Sequence, residues 1–208
     1  MYQKYFGLVL DIETLSADKI RNGGPVVTEL AAVPFFCTEN KLIHGEVYSS
    51  IINVPKQIEK GLHVDPDTVR WHISRGGQAA DLLNQDGLDL AEAVDQFLAW
   101  ARKNLNPKAT VYAWGSDFDA PMLHRAYTAY TGNTNTSDSF YPWRFGNYRC
   151  ARTLFYELTQ GNYRPSEKPH TAAKDVIVEL KDIVFAWNNV SKSEFELEIV
   201  EEAQMNQT

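Results

Sequence analysis

Two carboxylates, Asp11 and Glu13, stand two positions apart at the end of the apolar run LVLDIE. In an extended strand alternate side chains share a face, so both acids look into one place. Like charges that close repel, and burial sharpens the repulsion. A buried strand end gains nothing from two unpaired acids. Divalent cations would account for the pair, because hard ions take oxygen ligands and reverse the local field. Two more acids and a histidine extend the set: Asp119 inside WGSDFDAPML, and Asp175 five residues after His170 in HTAAKDVIVEL. Singly, each has a plainer reading. Asp119 suits a helix N-cap, Asp175 a first-turn acid facing the helix dipole, and His170 a surface loop. Asp117 competes with Asp119 for the same role.

The elements that must position these residues are legible as patterns. YFGLVLD (5–11) predicts a first strand, VVTELAAVPFFCTE (26–39) a second and KLIHGEVYSSIINV (41–54) a third, in an antiparallel meander. DPDTVRWHISR (65–75) predicts a short helix with Asp65 as N-cap and Pro66 at its first position. Residues 88–104 predict a longer one, with Leu90, Val94, Phe97, Leu98 and Ala101 along one face. ATVYAWG (109–115) reads as a fourth strand, DAPMLHRAYTAY (119–130) as a helix, and 131–143 as a loop rich in turn residues. CARTLFYEL (150–158) is helical, or a short strand entering a helix, and TAAKDVIVELKDIVFAW (171–187) is a strong helix. Five helical steps rotate a side chain by roughly 140°. His170 therefore belongs on the loop before the last helix, with Thr171 as N-cap, so that the loop folds it back toward Asp175.

This order gives an α/β architecture, a mixed five-stranded sheet flanked by helices, in a single domain over residues 1–190. Residues 191–208 form an acidic tail, partly disordered, in which FELEIV docks and the last six residues fray. The apolar and charged fractions, 44% and 23%, are ordinary for a globular chain of 208 residues. No run of eighteen apolar residues is present, so no membrane span is expected, and the N-terminus lacks the pattern of a signal peptide. Cys37 and Cys150 suggest neither a disulfide framework nor a zinc site, which favours a reduced, cytoplasmic setting. A net charge of −7 argues against nucleic-acid binding through a broad basic surface, though not against a site that recruits cations.

The pattern D-x-E after strand one, F-D-x-P-x-L after strand four and H-x-x-A-K-D at the final helix resembles the DEDDh 3′→5′ exonucleases of the DnaQ-like, ribonuclease H-like superfamily. The resemblance spans roughly residues 5–188. Within that superfamily the chain is most similar to phage DexA-type exonucleases and RNase AS-like exoribonucleases, through FDAPML, HTAAKDVIVEL, TVRWHISR and RCARTL. Trp114-Gly115 stands where proofreading relatives carry His-Asn, which weakens a proofreading assignment. Phe118 precedes Asp119 as the family pattern requires, favouring Asp119 over Asp117.

The resemblance implies that Asp11, Glu13, Asp119 and Asp175 hold two divalent ions, Mg²⁺ or Mn²⁺, and that His170 is the general base. It implies hydrolysis of single-stranded RNA or DNA from the 3′ end to nucleoside 5′-monophosphates, and it allows a homodimer. It also implies substrate contacts from the backbone at Thr14, with Leu15 wedged near the terminal base. Trp71, His72 and Trp114 offer rings on which bases stack, although tryptophans serve equally as core. Arg149 and Arg152 are candidate phosphate contacts or ordinary surface charges. RNA is slightly favoured over DNA. Two rivals stand beside this reading: a non-catalytic nucleic-acid-binding module of the same fold, and a ribonuclease H-type endonuclease.

Overall fold

Strand β1 (Tyr5–Thr14) lies at the centre of one sheet, between β2 (Val27–Cys37) and β5 (Leu105–Ala113). The computed structural model describes residues 5–18, 23–38, 41–133, 140–191 and 196–199. β3 (Lys41–His44), β4 (Tyr48–Ile51), β6 (Tyr148–Cys150) and β7 (Glu196–Ile199) complete a seven-stranded sheet of order β6-β5-β1-β2-β3-β7, with β4 also on β2. The β1–β2, β2–β3 and β2–β4 pairs are antiparallel. The β1–β5, β5–β6 and β3–β7 pairs are parallel.

The expected mixed sheet flanked by helices is present, with seven strands rather than five. The expected third strand is two. Phe35 pairs with His44 and Ala32 with Tyr48, so three steps on β2 oppose four on the other chain segment. That one-residue slip is a bulge, and it falls where Pro34 has no N–H to give and its carbonyl accepts from Gly45 N at 2.9 Å. A side chain at position 45 would strike the Tyr5 hydroxyl, so glycine permits the close approach. β6 is the short strand entering a helix that the sequence offered. The other added strand, β7, is the docked part of FELEIV, paired in parallel to β3. The last six residues lie outside the described ones.

Seven helices cover the described sheet: α1 (Val54–Glu59), α2 (Pro66–Ser74), α3 (Ala79–Leu83), α4 (Leu90–Asn104), α5 (Asp119–Thr131), α6 (Ala151–Leu158) and α7 (Ala172–Ser191). Local signals set several ends. Asp65 caps α2, with Pro66 first, and Asp89 Oδ1 accepts from Ala91 N at 3.0 Å to start α4. Leu90, Val94, Phe97, Leu98 and Ala101 of α4 are buried with Leu8, Leu10 and Ile12 in one core that α5 also covers. Val9, Ala31, Val33 and Phe35 form the core of the opposite face, with Val176, Leu180 and Ile183 of α7. The sheet is therefore apolar on both faces, and any charge placed inside it needs a reason. No helix among the described residues is long and apolar enough to cross a membrane.

Candidate active site

Asp11 and Glu13 continue the Val9 series along β1, so they face α7. Asp119 is the first residue of α5, on the turn that leaves β5. Its Oδ1 does not cap α5 but accepts from Ile12 N on β1 at 3.2 Å, tying the second motif to the first. Two tyrosines fix that helix start: the Tyr148 hydroxyl accepts from Ala120 N at 3.2 Å, and the Tyr141 hydroxyl donates to Ala120 O at 2.6 Å. Asp175 arrives in the first turn of α7. Asp11, Asp119 and Asp175 are 7%, 3% and 1% exposed.

His170 precedes α7 with φ +59°, a left-handed conformation uncommon for any residue but glycine. This turn brings the imidazole back over the site, so that ligand atoms of Glu13, His170 and Asp175 lie within 4.8 Å of one another. Thr171 does not cap α7 through its hydroxyl, which has no hydrogen-bond partner. The cap comes from β2 instead: Glu29, opposite Glu13 in the ladder, accepts from Ala172 N at 2.9 Å. A carboxylate so placed also suits the helix dipole.

Burial, compounded by neighbouring carboxylates, raises the proton affinity of the cluster. Asp11 is held well above the ordinary carboxylate range by burial, then by Glu179 and Asp119. Burial and then Asp175 lift Glu13 to about 8, and burial lifts Asp119 to about 7 against the pull of the Ile12 N–H and Lys168. Asp175 is raised by burial. His170 is lowered, first by burial and then by the cations Arg75 and Lys168, against the opposite pull of Asp175.

Folded-state carboxyl groups that keep their protons above the pH at which the unfolded chain loses them stabilise the protein at low pH. That stability is lost as pH rises from near 4 through about 8. In EDTA, the thermal midpoint is expected to be lower at pH 8 than at pH 5.5, by about 5 °C or more. Circular dichroism melts at the two pH values measure this, and a midpoint that is flat or rises would contradict the shared burial of these acids.

The cluster suits hard cations on its own chemistry. Asp11 Oδ2, Asp175 Oδ1 and Glu179 Oε2 are buried oxygens with no hydrogen-bond partner, an arrangement that costs free energy unless something else satisfies them. Glu179 lies outside the three sequence motifs. It follows Asp175 by four residues, about 40° around the helix, and that spacing within DVIVE was the available signal. Burial lifts it to about 8 despite its ion pair with Lys168. Lys168, also missed, brings Nζ to 3.8 Å from Asp11 Oδ1 and 5.2 Å from the centre of the Trp114 ring.

The residues expected to meet substrate divide. A cleft of about 500 Å³ beside Glu13 is lined by Thr14, Trp71, His72 and Phe118. Trp71 is 39% exposed, with its ring edge-on to His170 at 4.7 Å between centroids. The His72 ring meets Thr14 O at 3.1 Å. Arg75, another missed residue, lies over Trp71 and donates from Nη1 to His170 Nε2 at 3.2 Å. Arg152 is exposed on α6 and pulls the Asp119 affinity down. Arg149 is turned to the carbonyls of Gly146 and Tyr148. Trp114 is half-buried against Phe155. Leu15 requires a correction: it is fully buried in the α4/α5 core, so it offers no surface on which to wedge a base.

A mixed sheet with acids on its central strand and at two helix starts, and a histidine on the turn before the last helix, defines the ribonuclease H-like exonuclease class. The chain belongs to the family described as the 3′-5′ exoribonuclease Rv2179c-like domain, whose model matches residues 7–187. The family is one of 3′→5′ exonuclease domains. No curated protein matches it. Among solved structures, product-bound exonuclease I is 14% identical with a TM-score of 0.59, over 91% of this chain and 45% of that one. An E. coli exonuclease I complex with a 5cy-dA13 oligonucleotide is 12% identical with a TM-score of 0.56, over 91% and 41%. S. pombe Pop2p in its Mg²⁺ and Mn²⁺ bound form is 10% identical with a TM-score of 0.57, over 90% and 84%. At these identities the likeness is one of fold. The chain spans less than half the length of the exonuclease I chains it matches.

Proposed function

We propose that this chain removes nucleotides from the 3′ end of single-stranded nucleic acid, RNA before DNA, releasing nucleoside 5′-monophosphates. The observation that carries the reading is the set of buried, unpartnered carboxylate oxygens beside a histidine at the mouth of a cleft. Asp11, Glu13, Asp119 and Asp175 would hold two divalent ions, Mg²⁺ or Mn²⁺. Bound there, such ions supply Lewis acidity to the scissile phosphate, the attacking water and the leaving 3′-oxygen.

The chain's own residues do the rest. His170, held neutral near pH 7 by its lowered proton affinity, takes the proton of the attacking water. The exposed face of Trp71 offers a stacking surface for a base in the cleft, an interaction of about 1–3 kcal/mol. His72 holds the Thr14 carbonyl in place at the cleft wall. Arg152, exposed and lowering the proton affinity of Asp119, would meet a phosphate, and Trp114 backs the site. Preference for RNA follows the family description, and it requires a contact to the 2′-hydroxyl within the cleft.

Digestion of 5′-labelled single-stranded RNA and DNA with Mg²⁺, Mn²⁺ or EDTA tests the reading. The expected product is a ladder that shortens from the 3′ end, faster on RNA, and absent in EDTA. A closed circular single strand should survive; its cleavage would replace this reading with an endonuclease. Binding of the linear strands without any cleavage would replace it with a non-catalytic module.

A further inference from the structure

Lys168 is the one cation among the described side chains that ion-pairs with Asp11. Its side chain is 19% exposed, and Nζ lies between β1 and α7, paired to Glu179 Oε1 and 3.8 Å from Asp11 Oδ1. The face of Trp114 covers it from the β5 side. Its charge also reaches Glu13, Asp119 and Asp175, favouring the ionised form of each. Burying a long side chain in such a place costs conformational entropy and the desolvation of an ammonium, so its position answers a need. The need is visible: the carboxylates converge here, and buried like charges repel. Lys168 engages one oxygen of Glu179 and approaches one of Asp11, while the second oxygen of each has no hydrogen-bond partner. The two contacts are unequal. Glu179 holds the ammonium in a close pair, whereas Asp11 is at the margin of contact.

We propose that Lys168 is the resident counter-cation of this site, competing with divalent metal for Asp11 and withdrawing onto Glu179 when metal binds. Glu179 is then the anchor that receives the displaced ammonium rather than a metal ligand. Lys168 acts through Asp11, as a positioning residue. This inference rests on the metal-binding reading of the carboxylates proposed above.

Titration calorimetry of the full chain with Mn²⁺, without nucleic acid, separates the two. Wild type, Lys168→Met, Glu179→Gln and the double variant are compared, each checked for folding by its melt in EDTA. Removing a competing unit charge at this distance is expected to tighten Mn²⁺ binding by about tenfold in Lys168→Met. Glu179→Gln leaves the ammonium no anchor but Asp11, so binding should weaken. The double variant has the net charge of the wild type and replaces the ion pair with neutral groups, a change that buried pairs often tolerate. Competition predicts that it still binds more tightly than wild type. Equal affinity of the double variant and wild type would overturn the inference, because Lys168 would then serve only to neutralise Glu179. Weaker binding by Lys168→Met would also overturn it. If the wild type takes up no Mn²⁺, the metal reading itself fails and the inference falls with it.

Discussion

Asp119→Asn is expected to remove cleavage, whereas Asp117→Asn keeps most of it. Each substitution removes one negative charge, so the contrast tests position and not net charge. Asp119 is buried at the start of α5, and its Oδ1 accepts the Ile12 N–H. An asparagine oxygen keeps that hydrogen bond, so β1 and α5 stay joined. What is lost is the charge on a group that faces Asp11 and Glu179. The loss should be at least about 10³-fold, the upper scale for removing one preorganised electrostatic group. The same change relieves like-charge repulsion, so the variant should melt no lower than wild type in EDTA. Asp117 is exposed on the turn before α5. Turnover of a 5′-labelled oligomer and a melt in EDTA, run on both variants, decide the matter. A dead Asp117→Asn beside an active Asp119→Asn would shift the second motif by two residues.

What the sequence made legible was what neighbouring residues determine together. The D-x-E pair faces one side of β1 because strand periodicity forces it to, and α2 starts at Asp65-Pro66 because cap chemistry is local. The apolar stripe of α4 is buried as its spacing requires. What was not legible depends on distant partners. The third strand breaks because Pro34, on a different strand, meets Gly45. Thr171 was expected to cap α7, but a carboxylate 143 positions away does so. Leu15 follows the acids in sequence, yet it turns inward to the α4/α5 core once β1 has ended. Lys168 lies only two residues before His170, and nothing in EKPH says that it reaches Glu179. Glu179 alone carried a usable signal, its helical spacing from Asp175.

The electrostatics of the site bear on how an acidic chain would meet the polyanionic substrate proposed for it. A net charge of −7 would repel nucleic acid at long range, and the carboxylate cluster adds to this locally. The cations near the cleft are few and specific: Arg75 over Trp71, Lys168 over Trp114, and Arg152 on the approach to Asp119. Two of the three sit on aromatic faces, which hold the guanidinium and the ammonium in place; Lys168 is turned inward to Glu179 and Asp11. Divalent ions, bound as proposed, would supply the remaining positive charge at the carboxylates.

His170→Ala is expected to separate chemistry from metal binding. General-base catalysis typically contributes about 10²–10⁴-fold, and turnover should fall by that factor. The imidazole is suited to the role by its environment. A guanidinium can only donate, so the contact from Arg75 to Nε2 requires an unprotonated nitrogen there. Burial and the two nearby cations favour the same neutral form. The limb of the rate profile that reports His170 should therefore lie below the ordinary histidine value, with activity rising as pH increases through it. The wild-type profile alone is not decisive, because Glu13 and Asp119 release protons near 8 and 7 in the metal-free protein. The difference between wild-type and variant profiles isolates the histidine. Calorimetry with Mn²⁺ supplies the second readout. His170 shares a 4.8 Å neighbourhood with Glu13 and Asp175, so the geometry also admits it as a ligand. A base leaves Mn²⁺ affinity nearly unchanged when it is removed, and a ligand does not. If His170→Ala loses metal together with turnover, the histidine belongs to the metal centre and the proton must go elsewhere.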